Sequence, residues 1–171
     1  MKDTGRTGSK TDTITVGLAL LPPDGWKMED FCVTAVEEIW SARGEVRLRT
    51  ARVGEDSEEL RKTLRRWADR ERLTVACTVG RSGHRAEDFA PEITRPLLHR
   101  SLPGVEERMY LSPPRSPEDL FFRGAAGIRK ETIIINFPSR RGRIRTILRF
   151  LEPVLRHAAE KAAGDESECA R

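Results

Sequence analysis

The sequence predicts an α/β sandwich in three layers, a mostly parallel sheet with helices on both faces, and three observations carry that prediction. Two apolar runs, at 13–21 and 73–79, lack polar alternation, as strands buried on both faces of a parallel sheet do. Each leads through a turn into a helix signal. A third strand-helix unit lies between them, and three such units with short connections imply right-handed crossovers that cover the sheet on both sides.

Residues 1–12 are polar, contain glycine and read as a disordered tail. After the first run, Pro22-Pro23-Asp24-Gly25 is a turn by composition. Met28, Phe31, Cys32, Ala35, Val36, Ile39 and Trp40 then form one apolar helix face, and Gly44 supplies the stop. Residues 45–53 alternate Val46 and Leu48 with Arg47 and Arg49, a strand with one wet face. Asp56-Ser57-Glu58-Glu59 resembles a capping box, and Leu60, Leu64, Trp67 and Ala68 make the buried stripe of the helix it starts. The helix beginning at Pro91 carries Ile93, Leu97 and Leu98, but Pro96 removes a backbone donor and should kink or shorten it. Residues 111–117, with three prolines, read as a loop, and 125–128 and 132–136 as two short strands. The last helix gathers Ile144, Ile147, Leu148, Leu151, Leu155 and Ala158 on one face, with a bend expected at Pro153; residues 164–171 form a polar tail.

A chain of 171 residues suits one domain, placed at 13–163 between the tails. No apolar segment is long enough to span a membrane, and the first residues lack the apolar core of a secretion signal, so a cytoplasmic protein is expected. Cys32, Cys77 and Cys169 are odd in number and widely spaced, which points to neither a disulfide framework nor a zinc site; Cys32 and Cys77 read as core residues. A net charge of +4 permits a polyanionic partner, but aromatics at 6% do not interleave with the basic residues as a nucleic-acid stacking surface requires.

The stretch after the second apolar run carries the chemistry. Gly80 and Gly83 bracket a turn between a buried strand and a helix start, a geometry that gathers backbone N–H groups around an anion. Such a loop lies at the carboxyl end of a parallel strand, where open α/β sheets bind ligands. Neither a P-loop nor a dinucleotide fingerprint is present. Ser82 adds a hydroxyl, and Arg81 and Arg85 add charge; a tight turn with no ligand is the plainer reading. Arg140, Arg141, Arg143 and Arg145 crowd the start of the last helix, where the macrodipole is already positive. Either a bound anion relieves them or they form a solvated face.

Gly80-x-Ser82-Gly83 with Asp88-x-Ala90-Pro91-Glu92 resembles the Gly-Gly-Thr-Gly and Arg-Asp-x-Thr-Pro-Glu signature of the molybdopterin-binding, MogA/MoaB-like family of molybdenum cofactor biosynthesis. Leu102-Pro103-Gly104 with Glu107 and Met109, Gly127-Ile128-Arg129, and Ile134-Ile135-Asn136-Phe137-Pro138 follow in the family's order, so the resemblance covers roughly 13–159. It implies one antiparallel strand near 125–136 and a molybdopterin adenylyltransferase, in which a molybdopterin phosphate attacks the α-phosphate of Mg·ATP. It assigns Asp88 and Glu55 to catalysis and to Mg²⁺, with Asp56 as the alternative to Glu55 that also reads as a helix cap. Gly80, Arg81, Ser82, Gly83, Asn136, Pro138 and Ser139 fall to ligand and phosphate. It further implies a homo-oligomer, trimeric or hexameric. The sequence departs from the family pattern at several positions: Arg81 replaces its second glycine, where a positive φ would be strained, Glu87, Ala90 and Ser139 replace an arginine, a threonine and a glycine, and the Ser-Asp that follows the first strand in many members is absent at Leu21-Pro22. These differences motivate a second expectation, a non-catalytic module of the same fold that holds molybdopterin or another phosphorylated ligand.

Overall fold

The computed structural model describes residues 13–111 and 116–162. The expectations for the tails at 1–12 and 164–171, for Cys169 and for 112–115 of the proline-rich loop lie outside the described residues.

Six strands form one sheet: β1 (Ile14–Leu20), β2 (Val46–Arg52), β3 (Val75–Val79), β4 (Arg100–Ser101), β5 (Ala126–Arg129) and β6 (Thr132–Phe137). Their order is β2-β1-β3-β6-β5-β4. The first four in that order are parallel, and β5 is antiparallel to both of its neighbours, as expected. Every residue of β3 and β6 is buried, which is what an unbroken apolar run requires of a central strand. The edge strand β2 has no buried residue, in keeping with its alternating sequence.

Alternation along the strands sorts two cores. Val75, Cys77 and Val79 of β3 pack on one face with α2 (Glu29–Trp40) and α6 (Arg141–Ala162), while Ala76 and Ile134 pack on the other with α3 (Ser57–Asp69) and α4 (Ala90–Thr94). Cys32 and Cys77 are free core thiols; burial pushes Cys32 up to about 12 and Cys77 further in the same direction, so neither is a ready nucleophile. Trp40 ties α2 to α6 by donating its indole N–H to the Leu148 carbonyl at 2.8 Å. Ile144, Ile147, Leu148, Leu151 and Leu155 of α6 are fully buried, and the helix runs through Pro153.

Asp56 caps α3 by accepting the Glu58 N–H at 2.8 Å, whereas Glu59 takes the Gly54 N–H at 2.8 Å rather than that of the cap residue. Beyond α4 a tight helical turn spans Arg95–Leu97, the shortening expected of Pro96. Three elements go beyond the sequence reading: α1 (Asp24–Lys27), α5 (Pro103–Tyr110) and the two-residue β4. For α1 the reason is local. The Gly25 N–H bonds Leu21 O at 2.7 Å and the Trp26 indole bonds Leu20 O at 2.9 Å, winding a proline-glycine turn back onto the end of β1. Among the described residues no helix is long and apolar enough to cross a membrane.

Candidate functional site

A cleft of about 620 Å³ opens at the carboxyl ends of the parallel strands. Its walls come from the turn after β1 (Pro22, Pro23, Asp24), the loop after β3, the turn after β6 (Pro138, Ser139, Arg140) and a short helical turn at Pro117–Phe121. Arg143, from the first turn of α6, lines it too.

The loop after β3 makes the tight turn expected from the glycines. Gly80 takes φ +96° and Arg81 φ +53°, so the chain turns through two left-handed residues. Gly83 lies against Asp88, where a Cβ would stand 2.7 Å from Oδ2. That same oxygen accepts the Arg85 N–H at 2.8 Å. Among the described residues no group accepts the N–H of Ser82, Gly83 or His84. The Ser82 hydroxyl is engaged elsewhere: it is 4% exposed and donates to the Phe137 carbonyl at 3.1 Å, pinning the loop to β6. That hydroxyl is therefore not free for a ligand in the cleft.

Three expected site residues, Asn136, Glu55 and Gly80, are outside the cleft lining. Asn136 is fully buried and its amide is complete: Nδ2 donates to Thr78 Oγ1 at 2.9 Å and Thr94 Oγ1 at 2.8 Å, and Oδ1 accepts the Ala125 N–H at 3.0 Å. It braces β3, α4 and β5 beneath the loop, which corrects its assignment as a ligand contact. Glu55 is also outside the lining; its exposed carboxylate is 3.1 Å from Nη2 of Arg81, an arginine that the family pattern lacks. Gly80 packs against Leu21 and Gly25 instead, while Arg81, Ser82, Gly83, Asp88, Pro138 and Ser139 line the cleft.

The arginine cluster divides. Arg141 and Arg145 stack over Phe31 of α2 at 5.3 and 5.4 Å, and Arg145 pairs with Glu38 at 2.9 Å. Arg140 and Arg143 turn into the cleft wall, where Asp119 opposes both, at 3.0 Å from Arg140 Nε and 3.7 Å from Arg143 Nη1. The charge at the start of α6 is thus met by a carboxylate of the same protein. Arg143 is buried, donates to the carbonyls of Asp119 and Met109 at 3.0 Å each, and lies 4.9 Å over Phe122; its Nε has no partner among the described residues.

Asp24, Asp119, Phe121 and Arg123 escaped the sequence reading. Arg123 staples the loop, donating to the carbonyls of Gly83 and Asp88 and pairing with Glu92. No local pattern marks it, since its partners lie at least 31 positions away. Phe121 stacks on His84 at 4.3 Å across the rim. Among the described residues no three His, Cys, Asp or Glu side chains assemble as a metal-ligand set. Asp88 fits the one-carboxylate role that Mg²⁺ takes beside substrate phosphates, and Asp24 lines the same cleft.

Together the sheet order and the helices on both faces define an α/β domain with a cleft at its strand ends. The family described as Probable molybdopterin binding domain matches residues 13–157, and the chain belongs to that family. Among solved structures, the molybdopterin biosynthesis enzyme MoaB of Thermus thermophilus is 32% identical, with a TM-score of 0.70 over 89% of this chain and 98% of that one. A molybdopterin biosynthesis protein of Mycobacterium abscessus shares the fold at 24% identity, with a TM-score of 0.72 over 91% and 98% of the two chains. The molybdopterin adenylyltransferase of Helicobacter pylori is 27% identical over 66% of this chain and 65% of its own. The Drosophila melanogaster molybdenum cofactor synthesis protein cinnamon is 29% identical over 67% of this chain, and the match spans 19% of that protein.

Proposed function

We propose that this protein acts in molybdenum cofactor biosynthesis as a molybdopterin adenylyltransferase. The observation that carries the reading is the loop after β3, where Ser82, Gly83 and His84, whose amides have no acceptor among the described residues, line one cleft with Asp88 in a chain of the molybdopterin-binding family. The Helicobacter relative of that name supports it.

In the reaction a phosphate oxygen of molybdopterin forms a bond to the α-phosphorus of ATP, and the bond to the β-phosphate oxygen breaks, releasing pyrophosphate. The amides of Ser82, Gly83 and His84 hold and orient phosphate oxygens without reorganising, and Arg85 adds charge at the rim. Asp88 stays fixed by the Arg85 amide and by Arg123 on its own carbonyl, so its second oxygen keeps one direction. When bound, Mg²⁺ would neutralise phosphate charge beside Asp88. Incubation with ATP, Mg²⁺ and molybdopterin should release pyrophosphate in proportion to adenylylated product; no release with an intact fold refutes the enzyme. A second reading, a module that binds without turnover, draws support from Glu55 being tied to Arg81, and binding without pyrophosphate would favour it. A trimer or hexamer belongs to the same proposal and is read by light scattering.

A further inference from the structure

Resting on the reading of this cleft as a phosphate site, we propose that Arg81 is a specificity-determining phosphate ligand held in reserve by Glu55, and that it selects a diphosphate over a monophosphate. Arg81 lines the cleft, yet its side chain is only 9% exposed. Its Nη2 meets one oxygen of Glu55 at 3.1 Å, and Nη1 reaches the Glu87 carbonyl at 3.5 Å. Nε is buried without a partner among the described residues. Nε and Nη2 share one edge of the guanidinium, the edge that grips a phosphate or carboxylate with two parallel bonds. Glu55 occupies half of that edge.

The pair is unequal. The Glu55 side chain is 82% exposed, so water solvates its carboxylate on release. Arg81 is screened from water and must exchange one partner for another. A phosphate with two oxygens for Nε and Nη2 completes the edge that Glu55 leaves half filled. The amides of residues 82–84 form the first anion seat, and a freed Arg81 beside them forms a second, so a ligand with two linked phosphates uses both.

The test is calorimetric titration of inorganic phosphate and inorganic pyrophosphate into the intact protein and three variants. The parent should bind pyrophosphate more tightly than phosphate. Arg81→Gly, which suits the backbone angle and should fold, is expected to weaken pyrophosphate about tenfold or more and phosphate little. Arg81→Lys should recover part of that loss, since a point charge replaces a fork. Glu55→Gln should tighten pyrophosphate several-fold, because the competitor has lost its charge. If Arg81 merely plugs the cleft, Arg81→Gly tightens both anions; that result, or an unchanged pyrophosphate affinity, overturns the proposal while leaving the adenylyltransferase reading standing. A parent that binds neither anion removes both.

Discussion

The two ends of the sheet handle their polar groups in opposite ways. At the end away from the cleft, the Thr15 and Thr74 amides bond each other's hydroxyls at 3.1 and 2.8 Å, and the Thr132 hydroxyl meets Leu73 O at 2.7 Å. Arg129 grips Asp69 through two bonds of 2.8 and 2.7 Å. At the cleft end three loop amides stay unbonded among the described residues, and Arg81 and Arg143 each keep a buried Nε without a partner. Left-handed backbone does not separate the ends, for Arg72 and Lys130 have φ of 49° and 53° at the closed end and Arg81 has 53° at the open one. Unanswered donors do. Since buried polar groups are nearly always paired, the two buried guanidinium nitrogens without partners set the cleft end apart from the closed one.

The largest test of this contrast asks whether the cleft wall is scaffold or site. Arg143→Ala removes two carbonyl contacts, the Phe122 stack and one of the cations facing the buried Asp119. A loss of about 3 kcal/mol or more is expected, read from the denaturant midpoint; a loss below about 1 kcal/mol would make Arg143 a ligand contact and not a support. Next comes Asp88→Asn, expected to leave thermal stability near the parent and to lower pyrophosphate release by about two orders of magnitude. Equal turnover would remove Asp88 from the reaction. Gly83→Ala follows: its Cβ at 2.7 Å from Asp88 Oδ2 must displace that carboxylate, and about tenfold slower transfer should accompany a small loss of stability. Unchanged rates would show that the position of Asp88 is not critical.

How much of this was legible varied with the range of the interaction. The buried runs of β1 and β3, the face of α2 and the cap of α3 were readable because periodicity and capping act within a few residues. The antiparallel strand came from resemblance, and α1 hid in a segment whose composition says turn. In the site, the glycines announced the loop, but the partner of each side chain is decided by packing. Asn136 looks like a ligand residue in sequence and is a brace in the fold, because Thr78 and Thr94 converge on it from β3 and α4. Glu55 reads as a metal acid in sequence, and its pairing with Arg81, 26 positions on, is visible only in the fold.

The smallest effect probes the closed end. Hydrogen bonding from Arg129, then its charge with those of Lys130 and Arg65, holds the Asp69 carboxyl below the usual range against an opposing effect of burial. A carboxylate whose folded pKa is lowered stabilises the fold above its unfolded value, about 3.9, and that contribution is lost as pH falls through the lower folded value. Asp69→Asn should therefore cost on the order of 1 kcal/mol at neutral pH, the upper range for a partly exposed ion pair. The gap between parent and variant should narrow only below about pH 4 and vanish in stronger acid. Pyrophosphate release at pH 7 should not change, because Asp69 and Arg129 lie at the end of the sheet opposite the cleft. A variant that lost activity while keeping its stability would couple the two ends and erase the distinction between them.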